Sequence, residues 1–188
     1  MNCAGVLLTG GSSRRLGFDK ATAIVGDETV AVRAARVLSA VCSPVVEVGP
    51  GRTRLRAIRE SPPGSGPLAA LLAGVDAMGA DTVVLLGCDL VRIESPLLSL
   101  LAGWDGAPSA VPTVDGMPQL VCARYGSDAI EAARALLAAG ERSLRALLEA
   151  APIDLVPESR WRAVAEADAF ADLDTPEDLA RLGLRAPG

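Results

Sequence analysis

Seven consecutive uncharged residues near the start of the chain, Cys3 to Thr9 (CAGVLLT), stop abruptly at Gly10-Gly11. Successive side chains of a strand point to opposite faces, so a run that is apolar at odd and even positions alike needs cover on both sides. A parallel sheet sandwiched between helices supplies that cover. The rest of the chain repeats the theme. Val30, Ala34, Val37, Leu38 and Val41 recur at helical spacing, Pro44 to Val48 reads as a second strand, and Leu55 to Ile58 as a weaker third. After the break from Ser61 to Pro67, Leu68 to Met78 is helical and Thr82 to Leu86 (TVVLL) is another buried strand. Pro96 to Leu101 reads as a short helix capped by Ser95. Ala110 to Val114 and Gln119 to Arg124 then form a candidate hairpin about Asp115-Gly116, with Pro118 at an edge or outside the ladder. Ser127 to Ala139 is helical and stops at Gly140, Arg142 to Ala150 resumes a helix, and Thr175-Pro176-Glu177-Asp178 opens a last one through Leu182. The expected architecture is α/β: a Rossmann-like three-layer sandwich with a mostly parallel mixed sheet, spanning 1–188 as a single domain.

Composition excludes several functions. Among 188 residues, 50% are hydrophobic and 22% charged, which describes a globular chain rather than a disordered one. There is no histidine, so imidazole base catalysis and His-ligated metals are ruled out. A net charge of −5 argues against a nucleic-acid partner. No apolar run reaches the ~18 residues of a membrane span, and no basic leader precedes the first strand. Cys3, Cys42, Cys88 and Cys122 lie far apart with no C-x-x-C pair, as expected of reduced thiols in the cytoplasm. The eighteen cations are seventeen arginines and one lysine, Lys20. Such a bias reads as codon usage, which makes the retained lysine more informative.

In open α/β sheets ligands bind beyond the carboxyl ends of strands. The first strand ends in Leu8-Thr9-Gly10-Gly11-Ser12-Ser13-Arg14-Arg15-Leu16-Gly17-Phe18-Asp19-Lys20. Two glycines admit a ligand close to the backbone, successive amides can cradle phosphate, and Arg15 and Lys20 can neutralise it. The loop fits neither the Walker A pattern nor the dinucleotide pattern, and a plain surface loop is the other reading.

Gly10-Gly11-x-Ser13-x-Arg15-Leu16-Gly17-x-Asp19-Lys20 resembles the G-G-x-S-x-R-M-G-x-D-K signature of nucleotidyltransferases, most closely the MobA-type molybdenum cofactor guanylyltransferases. Gly66-Pro67-Leu68-Ala69, Cys88-Asp89, Ala139-Gly140-Glu141-Arg142 and Phe170 to Asp178 are similar to further segments of that family, in order. The resemblance implies a nucleotide-diphospho-sugar transferase-like fold. It also implies Mg²⁺-dependent transfer of GMP from GTP to molybdopterin with release of pyrophosphate, by a monomer. It implies that Arg15, Lys20 and Asp89 act in catalysis. Leu8, Thr9, Gly10, Gly11, Ser13, Lys20, Glu60, Pro67 and Leu68 would hold the nucleotide, and Asp89, Asp172 and Asp174 the metal. For an isolated strand-end aspartate such as Asp89, a cap or turn role is the competing reading.

The chain departs from the family in places. Leu90-Val91 stands where the family has a proline after C-D, and Asp172 and Asp174 stand for two asparagines. As carboxylates these two either join the metal or cap the last helix. A nucleotide-contacting asparagine of the family falls at Glu47 or Val48, and Thr9 replaces an alanine. In that family a glycine pair like Gly10-Gly11 accompanies guanine, so the resemblance implies GTP over CTP. The rival expectations are a cytidylyltransferase or other NTP transferase acting on a phosphorylated acceptor, and a nucleotide-binding homologue without catalysis.

Overall fold

The computed structural model describes residues 3–11 and 15–187. Along the chain come β1 (Ala4–Leu8), a 3-10 turn (Lys20–Thr22), β2 (Ile24–Val25), β3 (Glu28–Thr29), α1 (Val30–Ser39), β4 (Val45–Val48), β5 (Arg56–Ile58) and α2 (Pro67–Met78). There follow β6 (Val83–Gly87), α3 (Ser95–Ala102), β7 (Ser109–Val114), β8 (Met117–Pro118), β9 (Cys122–Tyr125), α4 (Ser127–Ala138), a 3-10 turn (Leu144–Ala146) and α5 (Leu147–Ala150). The last elements are β10 (Ile153–Val156), α6 (Glu158–Trp161) and α7 (Pro176–Leu182).

The main sheet has the order β10-β7-β9-β6-β1-β4-β5, with β8 beside β7. β1 pairs in parallel with β4 and β6, β4 with β5, and β7 with β10; β9 runs antiparallel between β6 and β7. Alternation along β1 explains the first apolar run. Leu7 faces the core shared with Leu38 of α1 and Leu97 of α3, whereas Ala4 and Val6 face the core shared with Leu71 of α2 and Ile130 of α4. Each large side chain buried this way contributes ~1.5–3 kcal/mol. The helices approach closely because glycine sits at the contacts. A Cβ at Gly5 would lie 3.0 Å from Leu38 Cγ, and one at Gly74 2.6 Å from Val6 Cγ2.

Several details differ from the sequence-based expectation. The N-cap of α3 is Glu94, without a side-chain hydrogen bond, and Ser95 is already helical. The hairpin turns at Asp115 (φ 48°) and Gly116 (φ 75°), as a two-residue hairpin loop requires. Its second arm is short: Val114 pairs with Met117 and Thr113 with Pro118, after which the chain crosses to β6 and touches β7 again at Ala110↔Arg124. The helix expected from Arg142 starts as a 3-10 turn at Leu144. The strands β2, β3 and β10 were not anticipated. β10 escapes pattern reading because it lies at the sheet edge, where Leu155 stays 53% exposed.

Thr175 and Asp178 form a reciprocal capping box at the start of α7. Around it the C-terminal segment returns to the beginning of the chain. Leu173, Leu182 and Leu184 pack on Leu16, Ala23 and Val30, and Ile24 bridges to Arg185. All four cysteines are buried and unpaired. Among the described residues no helix is long and apolar enough to cross a membrane.

Candidate active site

The carboxyl ends of β1, β4 and β6 lie together because the three strands are parallel neighbours. Thr9 N–H donates to Val48 O at 3.1 Å and Cys88 N–H to Leu8 O at 3.0 Å. Beyond the ends of β1 and β4, beside the N-terminus of α2, opens a cleft of about 440 Å³, within the roughly 300–1,000 Å³ of small-molecule sites. Of the residues proposed from sequence as nucleotide ligands, Leu8, Gly10, Gly11, Glu60 and Pro67 line it, together with Val48, Gly64, Gly66 and Ala70. Glu60 Oε1 accepts from Gly64 N–H at 2.9 Å, fixing the carboxylate on the wall. Gly66 (φ 92°) packs under Arg142, whose carbonyl oxygen would be 3.0 Å from a Cβ there. The Gly66-Pro67 and Gly140 to Arg142 segments thus meet at the rim.

Leu68 and Thr9, both expected nucleotide ligands, do not line this cleft. Leu68 is not on the cleft wall: its side chain is buried in the α2 core, and its N–H donates to Arg142 O at 3.2 Å. Thr9 is buried, and its hydroxyl donates to Glu47 Oε1 at 2.5 Å. Ser13 lies outside the described residues. Arg15 is exposed and, among the described residues, pairs with no carboxylate.

Lys20 reaches the end of β6. Asp19 caps the 3-10 turn, accepting Ala21 N–H at 3.0 Å, and from this turn Lys20 Nζ extends to Asp89 Oδ2 (2.5 Å) and Asp174 Oδ1 (3.1 Å). Burial opposes the ammonium charge, but the Asp89 and Asp174 carboxylates outweigh it and hold Lys20 above its ordinary pKa. Gly87 makes room: a Cβ there would meet Asp89 Oδ1 at 2.6 Å. Leu173 N–H donates to Asp89 O at 3.1 Å, which ties the C-terminal segment to the strand end. Asp172 stands nearby; desolvation first, then the Asp174 and Asp89 charges, raise its carboxyl pKa. Neither Asp172 nor Asp174 caps α7, since Thr175 and Asp178 do so.

Asp89 and Asp174 converge on one cation position with hard oxygen donors, the chemistry Mg²⁺ prefers. Among the described residues no set of three or more His, Cys, Asp or Glu side chains forms a ready-made metal cage. A Mg²⁺ ion here would therefore take its other oxygens from water and phosphate, as it usually does.

A model of the MobA-like NTP transferase domain matches residues 5–156. The chain belongs to this family. It is therefore a nucleotidyltransferase, and its fold agrees with that of a solved relative. A molybdopterin-guanine dinucleotide biosynthesis protein A from Archaeoglobus fulgidus superposes with TM-score 0.81 at 21% identity, covering 95% of both chains. A probable molybdenum cofactor guanylyltransferase of Chloroflexus aggregans is 31% identical, covering 95% of this chain and 92% of its own length. One of Mycobacterium avium is 33% identical, covering 97% and 95%. Within the MobA-like frame, Asp19, Gly87 and Arg52 are the site neighbours that sequence reasoning did not single out. Asp19 lay inside the quoted signature, whereas the pairing of Arg52 with it spans 33 positions and left no local signal.

Proposed function

We propose that the protein transfers GMP from GTP to molybdopterin, working as a cytoplasmic monomer with Mg²⁺. The observation that carries this reading is the placement of Lys20 Nζ and the Asp89 and Asp174 carboxylates at the same strand ends as the Gly10-Gly11 cleft. The names of the full-length relatives support GTP and the molybdopterin acceptor. Glu60 supports guanine, because a carboxylate on the cleft wall can accept two adjacent N–H donors, which the guanine edge presents and cytosine lacks.

In the reaction an acceptor phosphate oxygen bonds to the α-phosphorus of GTP while the bond to the bridging oxygen breaks, and pyrophosphate leaves. Such a transfer depends on in-line positioning and charge neutralisation more than on a proton-transferring base, so a chain without histidine is suited to it. The backbone from Leu8 to Gly11 forms the floor for base and phosphates. Lys20 turns from its carboxylates to the triphosphate, and exposed Arg15 neutralises the departing pyrophosphate. Asp89 and Asp174, with Asp172 beside them, would hold Mg²⁺, which when bound would supply further positive charge at the phosphates.

The test incubates purified protein with GTP or CTP, Mg²⁺ and molybdopterin and measures pyrophosphate. Release with GTP is expected. Release with CTP but not GTP overturns the choice of nucleotide, and release with neither, while nucleotide binds, identifies a non-catalytic homologue.

A further inference from the structure

Glu47 is fully buried on β4, and its hydrogen-bond donors among the described residues are hydroxyls and backbone N–H groups. A buried carboxylate is costly unless hydrogen-bonded, so its partners reveal what it organises. Oε1 accepts from Thr9 Oγ1 (2.5 Å), Gly51 N (2.9 Å) and Arg52 N (2.6 Å). Oε2 accepts from Thr53 N (2.9 Å) and Thr53 Oγ1 (2.7 Å). Burial pushes the carboxyl pKa up, and the Thr9, Arg52 and Thr53 hydrogen bonds outweigh it and hold the group below the usual range. One side chain thus joins the start of the glycine loop to the loop after β4.

That second loop delivers Arg52. Its Nε lies 2.9 Å and its terminal nitrogen 2.7 Å from Asp19 Oδ2, while Asp19 Oδ1 accepts from Ala21 N–H. Both oxygens of Asp19 are therefore occupied, one by the guanidinium and the other by the turn that begins at Lys20. A partly exposed ion pair adds little stability. Its effect here is geometric, because it fixes the residue that precedes the lysine.

We propose that Glu47 and Arg52 form a positioning relay for Lys20: Glu47 shapes loop 49–53, the loop aims Arg52 at Asp19, and Asp19 sets the turn from which Lys20 reaches Asp89 and Asp174. The relay rests on the role given to Lys20 above. The glycine at 49 belongs to the same assembly, since any Cβ there would collide with Thr9 Oγ1. Arg52 and Glu47 are positioning residues, acting on phosphate only through Lys20.

A double-mutant cycle separates this from direct phosphate binding by Arg52. Arg52→Ala should lower kcat/KM and nucleotide affinity on the order of tenfold, as misplacement of a positioned group does, with the melting temperature nearly unchanged. Arg52→Lys should restore part of the loss. In a Lys20→Ala background, Arg52→Ala should cost less than about twofold. Multiplying effects would mean that Arg52 touches phosphate itself and would overturn the relay.

A second readout needs no activity. Lys20 is the only lysine in the chain, so reductive ¹³C-methylation yields one side-chain resonance beside that of the α-amine. In the ligand-free protein, Arg52→Ala and Glu47→Gln should each displace that resonance. An unmoved resonance in a folded Arg52→Ala protein refutes the relay. If the wild type transfers no nucleotide, the proposed function fails, and this resonance still decides the relay.

Discussion

Two carboxylates near the same strand ends are stabilised in opposite ways. Asp89, at the end of β6, is partly exposed and shares one lysine ammonium with Asp174. Glu47, in β4, is buried and held by neutral donors, three of them backbone N–H groups. An ammonium on a flexible stem can be exchanged for another cation or drawn away by phosphate. Backbone donors cannot leave without unfolding the loop. The first arrangement suits a site that must change partners during a reaction, and the second suits the frame that holds such a site still.

The largest effects should come from the exchangeable site. Lys20→Ala and Asp89→Asn are expected to lower kcat/KM by roughly 10²–10³-fold, as loss of one preorganised charge does, with circular dichroism and melting unchanged. Full turnover in either variant would make that pair structural and erase the contrast. Glu47→Ala should act on stability as well as on the placing of Lys20. It strands several donors and is expected to cost about 2–4 kcal/mol, a fall in Tm of roughly 5–15 °C by calorimetry.

A pH series sharpens the same point. Glu47 has a folded pKa below its unfolded value, so its contribution is present above roughly pH 4.3 and is lost as pH falls through the folded value. Urea midpoints of the wild type should therefore drop through that acid range, and Glu47→Gln should remove part of the slope. Equal slopes would show that the nest does not favour the ionised form. The smallest effect belongs to Asp174→Asn, which removes the longer and more exposed partner of Lys20. A 48% exposed side chain limits the change in stability to about 1 kcal/mol or less, read from the urea midpoint.

Much of this arrangement is legible in the sequence. Continuous apolar runs mark β1 and β6, helical spacing marks α1, α2 and α4, and the Thr175 box marks α7, because local periodicity and caps fix these elements. Lys20 and Asp89 stand out through motif resemblance. The Glu47 nest does not, because the donors from Gly51 to Thr53 converge through the conformation of an irregular loop, and the one from Thr9 needs the register that sets Leu7 opposite Glu47. The same holds for β2, two residues long, whose bridge partner Arg185 lies near the far end of the chain. Leu68 misled for another reason. A family motif marks a segment, whereas helical phase decides which of its side chains face the ligand, and Leu68 faces the core.

The return of the C-terminal segment to Asp89 has a consequence for the order in which the molecule is made. Every strand of the main sheet precedes Asp174 in sequence, the last ending at Val156, so the sheet emerges from the ribosome ahead of Asp174. A nascent chain at that stage already exposes the glycine cleft and Lys20 but lacks one of the two carboxylates that grip the ammonium. Competence at this site arrives late in translation, after the scaffold that supports it.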